Sequence, residues 1–410
     1  MDQLSYGFGL AAVGTILISL VLCLPFVAKE NRSKLPPDPW NLPVIGSLHH
    51  LIGTLPHHAL LRLSRRYGPL MLLRLGEVPT LVVSTPEAAM EVLKTKDLVF
   101  ATRPSAPTRD LVSCGGKALV FAPYGEHWRQ MRKVCIVEVL SARQMAKLTN
   151  NIIARAVFGG KCQQQEKYLH ELDRMMVLVG GFSLVHLFPS SRLVRWLSGA
   201  ARDLRRSHAR AQQILRDIIV GAQGDERKCL RKRRHSRQRG PARRAVIFDI
   251  FAAATDTTAT TLEWAMAELI RNPELMTRAK HEVRQGLAQG LSTVTSADLG
   301  NLHYLRMVIK ETLRLHPPAA VMRRAARDRC QPGAQMEFIP FGFGRRQCPG
   351  ALMATTTLEL VLANLLYQFD WAIPGGASPE TLDMGEVFGL TVHRSSNLCL
   401  QAATRRPQQH

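Results

Sequence analysis

Cys348 is the residue whose type and position best suit chemistry in this chain of 410 residues. It lies in the stretch Phe341-Gly-Phe-Gly-Arg-Arg-Gln-Cys-Pro-Gly350, which leads into an apolar helical pattern beginning near Ala351. Because proline is favoured at the first helical position, Pro349 predicts that Cys348 is the N-cap of that helix. The positive end of a helix lowers the pKa of a thiol. The position therefore predicts a sulfur that is available as thiolate.

The residues around this cysteine favour the same ionised form. Gly342, Gly344 and Gly350 permit tight turns, so that backbone N–H groups can point at the sulfur. Arg345 and Arg346 place positive charge next to it. A Cys-Pro-Gly sequence on its own is more often a buried structural cysteine before a helix, and that alternative stays open at this point.

A second group of polar residues interrupts an apolar helical pattern that runs from Ala245 to Asn272. Its sequence is Ala253-Ala-Thr-Asp-Thr-Thr258. Threonine is a weak helix former, and its hydroxyl can bond to the carbonyl four residues earlier, which loosens or bends the helix. A buried bend with hydroxyl groups suits oxygen chemistry, although a threonine-rich face is more often ordinary core or surface.

Two further patterns are weak evidence when taken alone. Glu311 and Arg314 are three residues apart on a helix that stops at His316-Pro317-Pro318, and such a pair is usually an exposed ion pair. The second is Trp128-Arg-Gln-Met-Arg132, an aromatic residue with two basic ones.

Helical patterns dominate the elements that must position these residues. Two short apolar runs, separated by a turn containing Gly76 and Pro79, predict strands. The remaining patterns predict helices. The predicted strands are Leu70–Leu75 and Thr80–Val83, and the predicted later helices are 245–272, 273–289, 302–315 and 351–369. The sequence therefore predicts a mainly α fold with a small β element.

The N-terminus predicts a membrane anchor. Phe8 to Val27 carries no charge and is long enough to cross a hydrocarbon core. Basic residues follow this run and none precedes it, so the positive-inside rule places the rest of the chain in the cytosol. A cleaved signal peptide would have the opposite charge arrangement and is the less favoured alternative. Four prolines between Leu35 and Pro43 then predict an extended hinge, so that segment 1–34 is the anchor and segment 35–47 the hinge.

The charge and the cysteine content of the chain narrow the classes of protein to which it can belong. The formal net charge is +22, but Arg227 to Arg244 alone contains ten Lys or Arg residues. This run could bind nucleic acid, whereas an exposed disordered loop is the simpler interpretation and the one that we favour. The eight cysteines form no C-x-x-C pair and have no zinc spacing with histidine, which argues against a disulfide framework or a structural zinc site.

The stretch from Phe341 to Gly350 resembles the haem-binding signature F-x-x-G-x-R-x-C-x-G of the cytochromes P-450 at every fixed position. The resemblance implies that Cys348 is the axial ligand of the haem iron and that Arg346 pairs with a haem propionate. It also implies that Phe341 packs on the sulfur side of the ring. Gly344 and Gly350 fill the two glycine positions of the signature.

The other patterns also resemble motifs of this family, and they occur in the family's order. Residues 253–258 resemble the oxygen-binding motif, which implies that Asp256 and Thr257 are the acid-alcohol pair that delivers protons. Glu311 and Arg314 resemble the structural E-x-x-R motif. Trp128 and Arg132 resemble the W-R-x-x-R helix, whose side chains reach the propionates.

The resemblance is greatest to plant microsomal members, from which this chain departs by being short. Only 37 positions separate Glu311 from Cys348, and the family's P-E-R-F-type segment is missing from them. That segment carries the arginine that completes the network of Glu311 and Arg314. The resemblance also lapses near 145–149, 221–244 and 331–334. We therefore expect an incomplete cytochrome P-450 fold over residues 48–404, preceded by one transmembrane helix.

The resemblance implies a haem b enzyme that inserts one atom of O2 into a small hydrophobic substrate, expected to be a plant specialised metabolite. It implies electrons from NADPH through a flavoprotein reductase, and a single-pass protein of the endoplasmic reticulum membrane, in contact with lipid. Nucleic acid is not an expected partner. The alternatives are an inactive, truncated relic of the same family that does not retain haem, and, less favoured, a basic nucleic-acid-binding protein.

Overall fold

The computed structural model describes residues 35–104, 106–113, 118–140, 163–180, 183–222, 240–287, 293–321 and 338–405. Within these ranges no helix has the length and apolar character needed to cross a membrane. The predicted anchor and most of the basic run lie outside the described residues, as do the predicted lapses near 145–149 and 331–334. The chain divides into two compact units, Met1–Ala89 and Met90–His410.

In the described part of the first unit, a short 3-10 helix (Leu48–Leu51) precedes one α-helix and one hairpin. Its elements are α1 (Pro56–Tyr67), β1 (Leu70–Leu75) and β2 (Val78–Val83). The two strands are antiparallel, with Leu72 opposite Leu81, as the two apolar runs predict. The proline-rich segment contains no helix before residue 48, and it contacts β1: the Leu72 N–H donates to the Pro37 carbonyl at 2.9 Å, and the Ser47 N–H donates to the Arg74 carbonyl at 2.6 Å.

The second unit is mainly helical and contains two small antiparallel sheets. Its elements, beginning with the helix at its boundary, are α2 (Pro86–Met90), α3 (Asp97–Phe100), α4 (Pro107–Val112), α5 (Glu126–Val134), α6 (Gln163–Val179), α7 (Leu184–Leu187), α8 (Arg192–Leu197), α9 (Ala200–Ala222), α10 (Gly240–Arg271), α11 (Pro273–Gly286), α12 (His303–Leu315), α13 (Ala351–Gln368), β3 (Phe369–Ala372), β4 (Glu386–Phe388), β5 (Val392–Arg394) and β6 (Gln401–Thr404). Strand β3 pairs with β6, and β4 pairs with β5.

The core of the second unit lies where α10, α11, α12 and α13 meet. Apolar side chains of these helices, among them Leu269, Val283, Leu305 and Leu362, are each less than 5% exposed and form one cluster. Burial of this kind contributes about 25 cal/mol per Å² of apolar surface removed from water. The cluster fixes the position of α10, which carries the threonine-rich segment, and of α13, which follows Cys348.

Helix α10 agrees with the sequence prediction except at its start. It begins at Gly240, five residues before the predicted Ala245, and ends at Arg271. The hydroxyls of Thr255, Thr257 and Thr261 donate to the carbonyls four residues earlier at 2.7 to 2.8 Å, as predicted.

Candidate functional site

A short loop holds Cys348 in front of helix α13. Two of its glycines, Gly342 and Gly344, have φ angles of 67° and 71°, a conformation that favours glycine. A Cβ atom at Gly344 would lie only 2.2 Å from the carbonyl oxygen of Leu93. The loop closes where the Cys348 N–H donates to the Phe341 carbonyl at 2.9 Å. Backbone conformation and close packing therefore explain why glycines occupy this loop.

The predicted N-cap at Cys348 is wrong by two residues. Helix α13 begins at Ala351 with Gly350 as its N-cap, and the Gly350 carbonyl accepts the Ala354 N–H at 2.8 Å. The predicted lowering of the thiol pKa is also wrong for the protein alone. Burial raises the pKa of Cys348, and this outweighs the backbone N–H of Gly350 and the charge of Arg132, which both lower it. The side chain nevertheless keeps an exposed surface.

The guanidinium of Arg346 is buried next to Cys348. It donates to the carbonyls of Ala101 and Ala122, both at 2.6 Å, and to that of Leu119 at 3.4 Å. It also lies over the ring of Trp128, 4.4 Å from the ring centroid. The Trp128 indole N–H donates to the Leu119 carbonyl at 3.1 Å. Arg346 and Trp128 therefore hold the chain before α5 against the loop of the cysteine.

Arg132 has a different environment from Arg346. It is half-buried on the same helix as Trp128, and its guanidinium carbon lies 5.4 Å from the centroid of that ring. Burial lowers the pKa of Arg132, and the nearby thiols of Cys135 and Cys348 oppose this. In the parts of the chain that the structure describes, no carboxylate lies within ion-pair distance of this guanidinium. A half-buried cation without an anionic partner, close to an accessible thiol, can accept a carboxylate from a bound group.

Asp256 and Thr257 are adjacent on α10 but have separate partners. The Thr257 hydroxyl donates to the Ala253 carbonyl at 2.7 Å. Asp256 is buried and accepts the hydroxyl hydrogen of Thr391 at 2.7 Å, while His393 Nε2 lies 3.4 Å from its other oxygen. Burial raises the pKa of Asp256, whereas Thr391 and the charge of His393 lower it. Burial therefore favours the protonated acid at this position.

Sequence analysis did not assign roles to Thr391 and His393. The available signal was their spacing, because residues two apart in a strand share a face and these two are polar. Their partner, 135 positions away, could not be read from that spacing.

Asp249 is a second buried acid that sequence analysis did not single out. It lies seven residues before Asp256 on α10, and its carboxylate accepts the Val120 N–H at 2.8 Å. Burial raises its pKa to about 7, although the N–H groups of Leu119 and Val120 lower it. Asp249 therefore ties the chain before α5 to α10.

The Glu311–Arg314 pair is exposed rather than part of a buried network. Two guanidinium N–H groups donate to the carboxylate at 2.6 and 2.8 Å, and both side chains are more than half exposed. Within the described ranges no third arginine joins the pair. Each partner satisfies the other on the surface of α12.

Apolar side chains from three distant regions of the chain meet in one cluster. It includes Phe121 from the chain before α5, Phe248 and Ala252 from α10, and Leu390 from the turn after β4. A fourth region, the chain after α12, is joined to the start of β5 by a backbone hydrogen bond. The Val392 N–H donates to the Pro318 carbonyl at 2.9 Å. These contacts bring four distant segments of the chain together at one apolar position beside the threonine-rich segment.

Comparison with known proteins identifies the class. The cytochrome P-450 family profile matches residues 36–158, 142–336 and 327–399. Similar curated proteins include desmethyl-deoxy-podophyllotoxin synthase from Sinopodophyllum hexandrum, which is 37% identical over 94% of this chain and 95% of its own length. Germacrene A hydroxylase from Saussurea costus is 35% identical over 95% and 97%, and a melianol synthase from Azadirachta indica is 34% identical over 96% and 97%.

This chain belongs to the cytochrome P-450 family and is of the plant type, as its motifs predict. It is a cytochrome P-450 monooxygenase, and its family implies a haem iron that receives electrons from a reductase. The residues present fit such a group, because an accessible thiol lies close to a half-buried guanidinium that lacks an anionic partner among the described residues. The alignment with the first relative runs over 482 positions, more than the 410 residues of the chain, so it includes gaps in this chain.

Proposed function

We propose that this protein is a haem b monooxygenase that inserts one oxygen atom from O2 into a small hydrophobic plant metabolite. Its electrons come from NADPH through a membrane-bound flavoprotein reductase. The observation that carries the proposal is the position of Cys348, whose accessible thiol receives the backbone N–H of Gly350 and lies close to Arg132.

In this proposal Cys348 binds the iron, and bound haem supplies the activation of dioxygen, which a thiolate ligand favours. Arg132 binds a haem propionate, since no carboxylate of the described residues lies within ion-pair distance of its half-buried guanidinium. In this proposal Arg346 and Trp128 also bind the propionates, and they position the surrounding backbone through the carbonyls of Ala101, Leu119 and Ala122. Phe341, Gly344 and Gly350 shape the loop that presents the sulfur.

Asp256 and Thr257 handle protons in the proposed reaction. Burial favours the protonated form of Asp256, so its carboxyl group can hold a proton in a site that excludes water. Thr257 keeps its hydroxyl oxygen free to accept a hydrogen bond while it donates to the Ala253 carbonyl.

The proposed substrate class rests on the apolar cluster formed by Phe121, Ala252 and Leu390. The printed names of similar plant proteins include a germacrene A hydroxylase and a melianol synthase, which supports a plant specialised metabolite as substrate.

We place the protein in the endoplasmic reticulum membrane with its catalytic domain in the cytosol. The apolar run Phe8–Val27 supports an anchor. The described residues add support at α8, where Leu193, Trp196 and Leu197 are 64% to 74% exposed beside two arginines. Exposed apolar and aromatic side chains with basic neighbours suit contact with a lipid surface.

Microsomes containing the full chain test the proposal. We expect them to show the reduced, carbon-monoxide-bound band of thiolate-ligated haem and to consume NADPH when the reductase is added. Replacement of Cys399, an exposed cysteine outside this loop, is the matched control for replacement of Cys348. It should leave the absorption band and the NADPH consumption unchanged. A protein without haem absorbance would refute the proposal.

A second candidate is a relic of the family that has lost activity. The exposure of Glu311 and Arg314 favours it, because an exposed pair adds little to stability and cannot lock a helix beneath a cofactor. The same spectrum separates the two candidates, since the relic predicts no thiolate band.

A further inference from the structure

Four polar side chains form a connected chain of hydrogen bonds between α10 and β5. Asp256 and Thr260 are four residues apart and share one face of the helix. Thr391 directly precedes β5 and His393 lies in it, and both side chains contact Asp256 or its hydrogen-bond partner. The helix and the segment of β5 contact each other through these side chains.

The distances connect Asp256 to His393 without a gap. Thr391 Oγ1 lies 2.7 Å from Asp256 Oδ2 and 2.6 Å from His393 Nε2. His393 Nδ1 lies 2.9 Å from Thr260 Oγ1, which fixes the plane of the imidazole ring. A hydrogen-bonded route from the imidazole to the acid therefore passes through one hydroxyl group, and His393 Nε2 also lies 3.4 Å from Asp256 Oδ1.

The exposure of the two ends differs. The Asp256 side chain is 4% exposed, whereas the His393 side chain is 33% exposed. His393 is thus the end of the chain that water can reach, and Asp256 is the end inside the protein.

We propose that His393 is a positioning residue that returns a proton to Asp256 through the hydroxyl of Thr391. The inference rests on the proposed role of Asp256 as proton donor. After Asp256 has given up its proton, the Thr391 hydroxyl passes its hydrogen to the carboxylate and takes the Nε2 hydrogen of the imidazolium. His393 then binds a proton from water, so that one proton moves inward and no group is oxidised or reduced.

The electrostatics of the acid agree with this assignment. Burial raises the pKa of Asp256, while Thr391 and His393 stabilise its charged form. Among the titratable side chains of the described ranges, His393 is the one whose charge acts on Asp256. A group that must both release and regain a proton needs these opposing influences to be balanced.

The contact between His393 and Asp256 is tested first, by the infrared absorption of the Asp256 carboxyl group. The band of this group is the one that is lost in Asp256→Asn. In His393→Gln the titration midpoint of this carboxyl should rise, because a favourable charge has been removed. His281→Gln changes an exposed histidine of α11 and is the matched control, with no expected shift. An unchanged midpoint in His393→Gln overturns the inference.

Proton transfer is tested by NADPH consumption with the reductase, in H2O and in D2O and as a function of pH. His393→Gln should slow consumption by about tenfold, at or below the low end of what a positioned acid or base contributes, and should increase the solvent isotope effect. Thr391→Val keeps a β-branched residue at this position and should have the same effect, so the test survives if His393→Gln does not fold. Wild-type rates, isotope effects and pH profiles in both variants overturn the inference.

The carbon-monoxide difference spectrum separates this inference from the proposed function. A wild-type protein without the thiolate band refutes the proposed function, and the proton path with it. If the band is present in the wild type and in His393→Gln, but the two proteins turn over alike, then only the proton path is refuted.

Discussion

Asp249 provides a quantitative test of the buried electrostatics beside the site. Its pKa rises from 3.8 to about 7 through burial, so the folded protein binds a proton that the unfolded chain releases. Between these two values the unfolded state binds fewer protons, and the stability contributed by this group therefore falls as pH increases. Well above the folded-state pKa of about 7, the buried charge of Asp249 lowers the free energy of unfolding by about 4 kcal/mol.

Replacing this residue, Asp249→Asn, should remove the cost. Asparagine has one oxygen that can accept the Val120 N–H and it does not ionise, so it resembles the protonated acid. The free energy of unfolding of Asp249→Asn, relative to wild type, should therefore rise by about 3 kcal/mol between about pH 5 and about pH 8. Urea unfolding of the two proteins in the same detergent at both pH values measures this difference.

The matched control for this measurement is Asp203→Asn, which changes a partly exposed acid at the start of α9. Its stability relative to wild type should change far less with pH than that of Asp249→Asn, because the Asp203 side chain is not buried. If the difference in the free energy of unfolding between Asp249→Asn and wild type stays constant from about pH 5 to about pH 8, then Asp249 is ionised in the folded protein throughout that range. The reasoning about its burial would then be refuted.

Three further predictions concern stability and are measured by thermal unfolding of the variants. Gly344→Ala should cost about 2 to 5 kcal/mol of stability, since an added Cβ meets a backbone carbonyl. Gly375→Ala, at a residue with φ of 73° and open space around it, should cost only about 1 to 2 kcal/mol. Equal losses in the two variants would contradict the packing argument. Glu311→Gln should change stability by less than about 1 kcal/mol because its ion pair is exposed, and a large loss would indicate a buried network. His316→Ala should cost about 2 to 4 kcal/mol of stability, because the ring stacks on Trp264 at 3.8 Å and lies 2.8 Å from the Glu268 carboxylate of α10. A neutral result would contradict those contacts.

Local patterns in the sequence predicted much of the fold. The apolar runs gave β1 in full, and β2 begins only two residues before its predicted start. The helix after Cys348 begins at Ala351 as predicted and ends one residue before the predicted Phe369. These elements depend on periodicity and on turn residues, which are properties of neighbouring positions.

Contacts between distant positions could not be predicted in this way. The N-cap assignment of Cys348 failed because the Gly350 carbonyl, two residues further along the chain, accepts the first helical N–H. The lowered thiol pKa failed because burial outweighs the favourable neighbours. The partners of Asp256 lie 135 or more positions away on a hairpin, and no local pattern indicates which face of α10 the hairpin covers.

The central claim is that the sulfur of Cys348 binds the haem iron. The most direct measurement is the reduced carbon-monoxide difference spectrum of the wild type and of Cys348→His, with haem content determined on the same samples. We predict a thiolate-type Soret band in the wild type and its replacement, in Cys348→His, by a band typical of a nitrogen ligand or by loss of haem. An unchanged thiolate band in Cys348→His would contradict the claim.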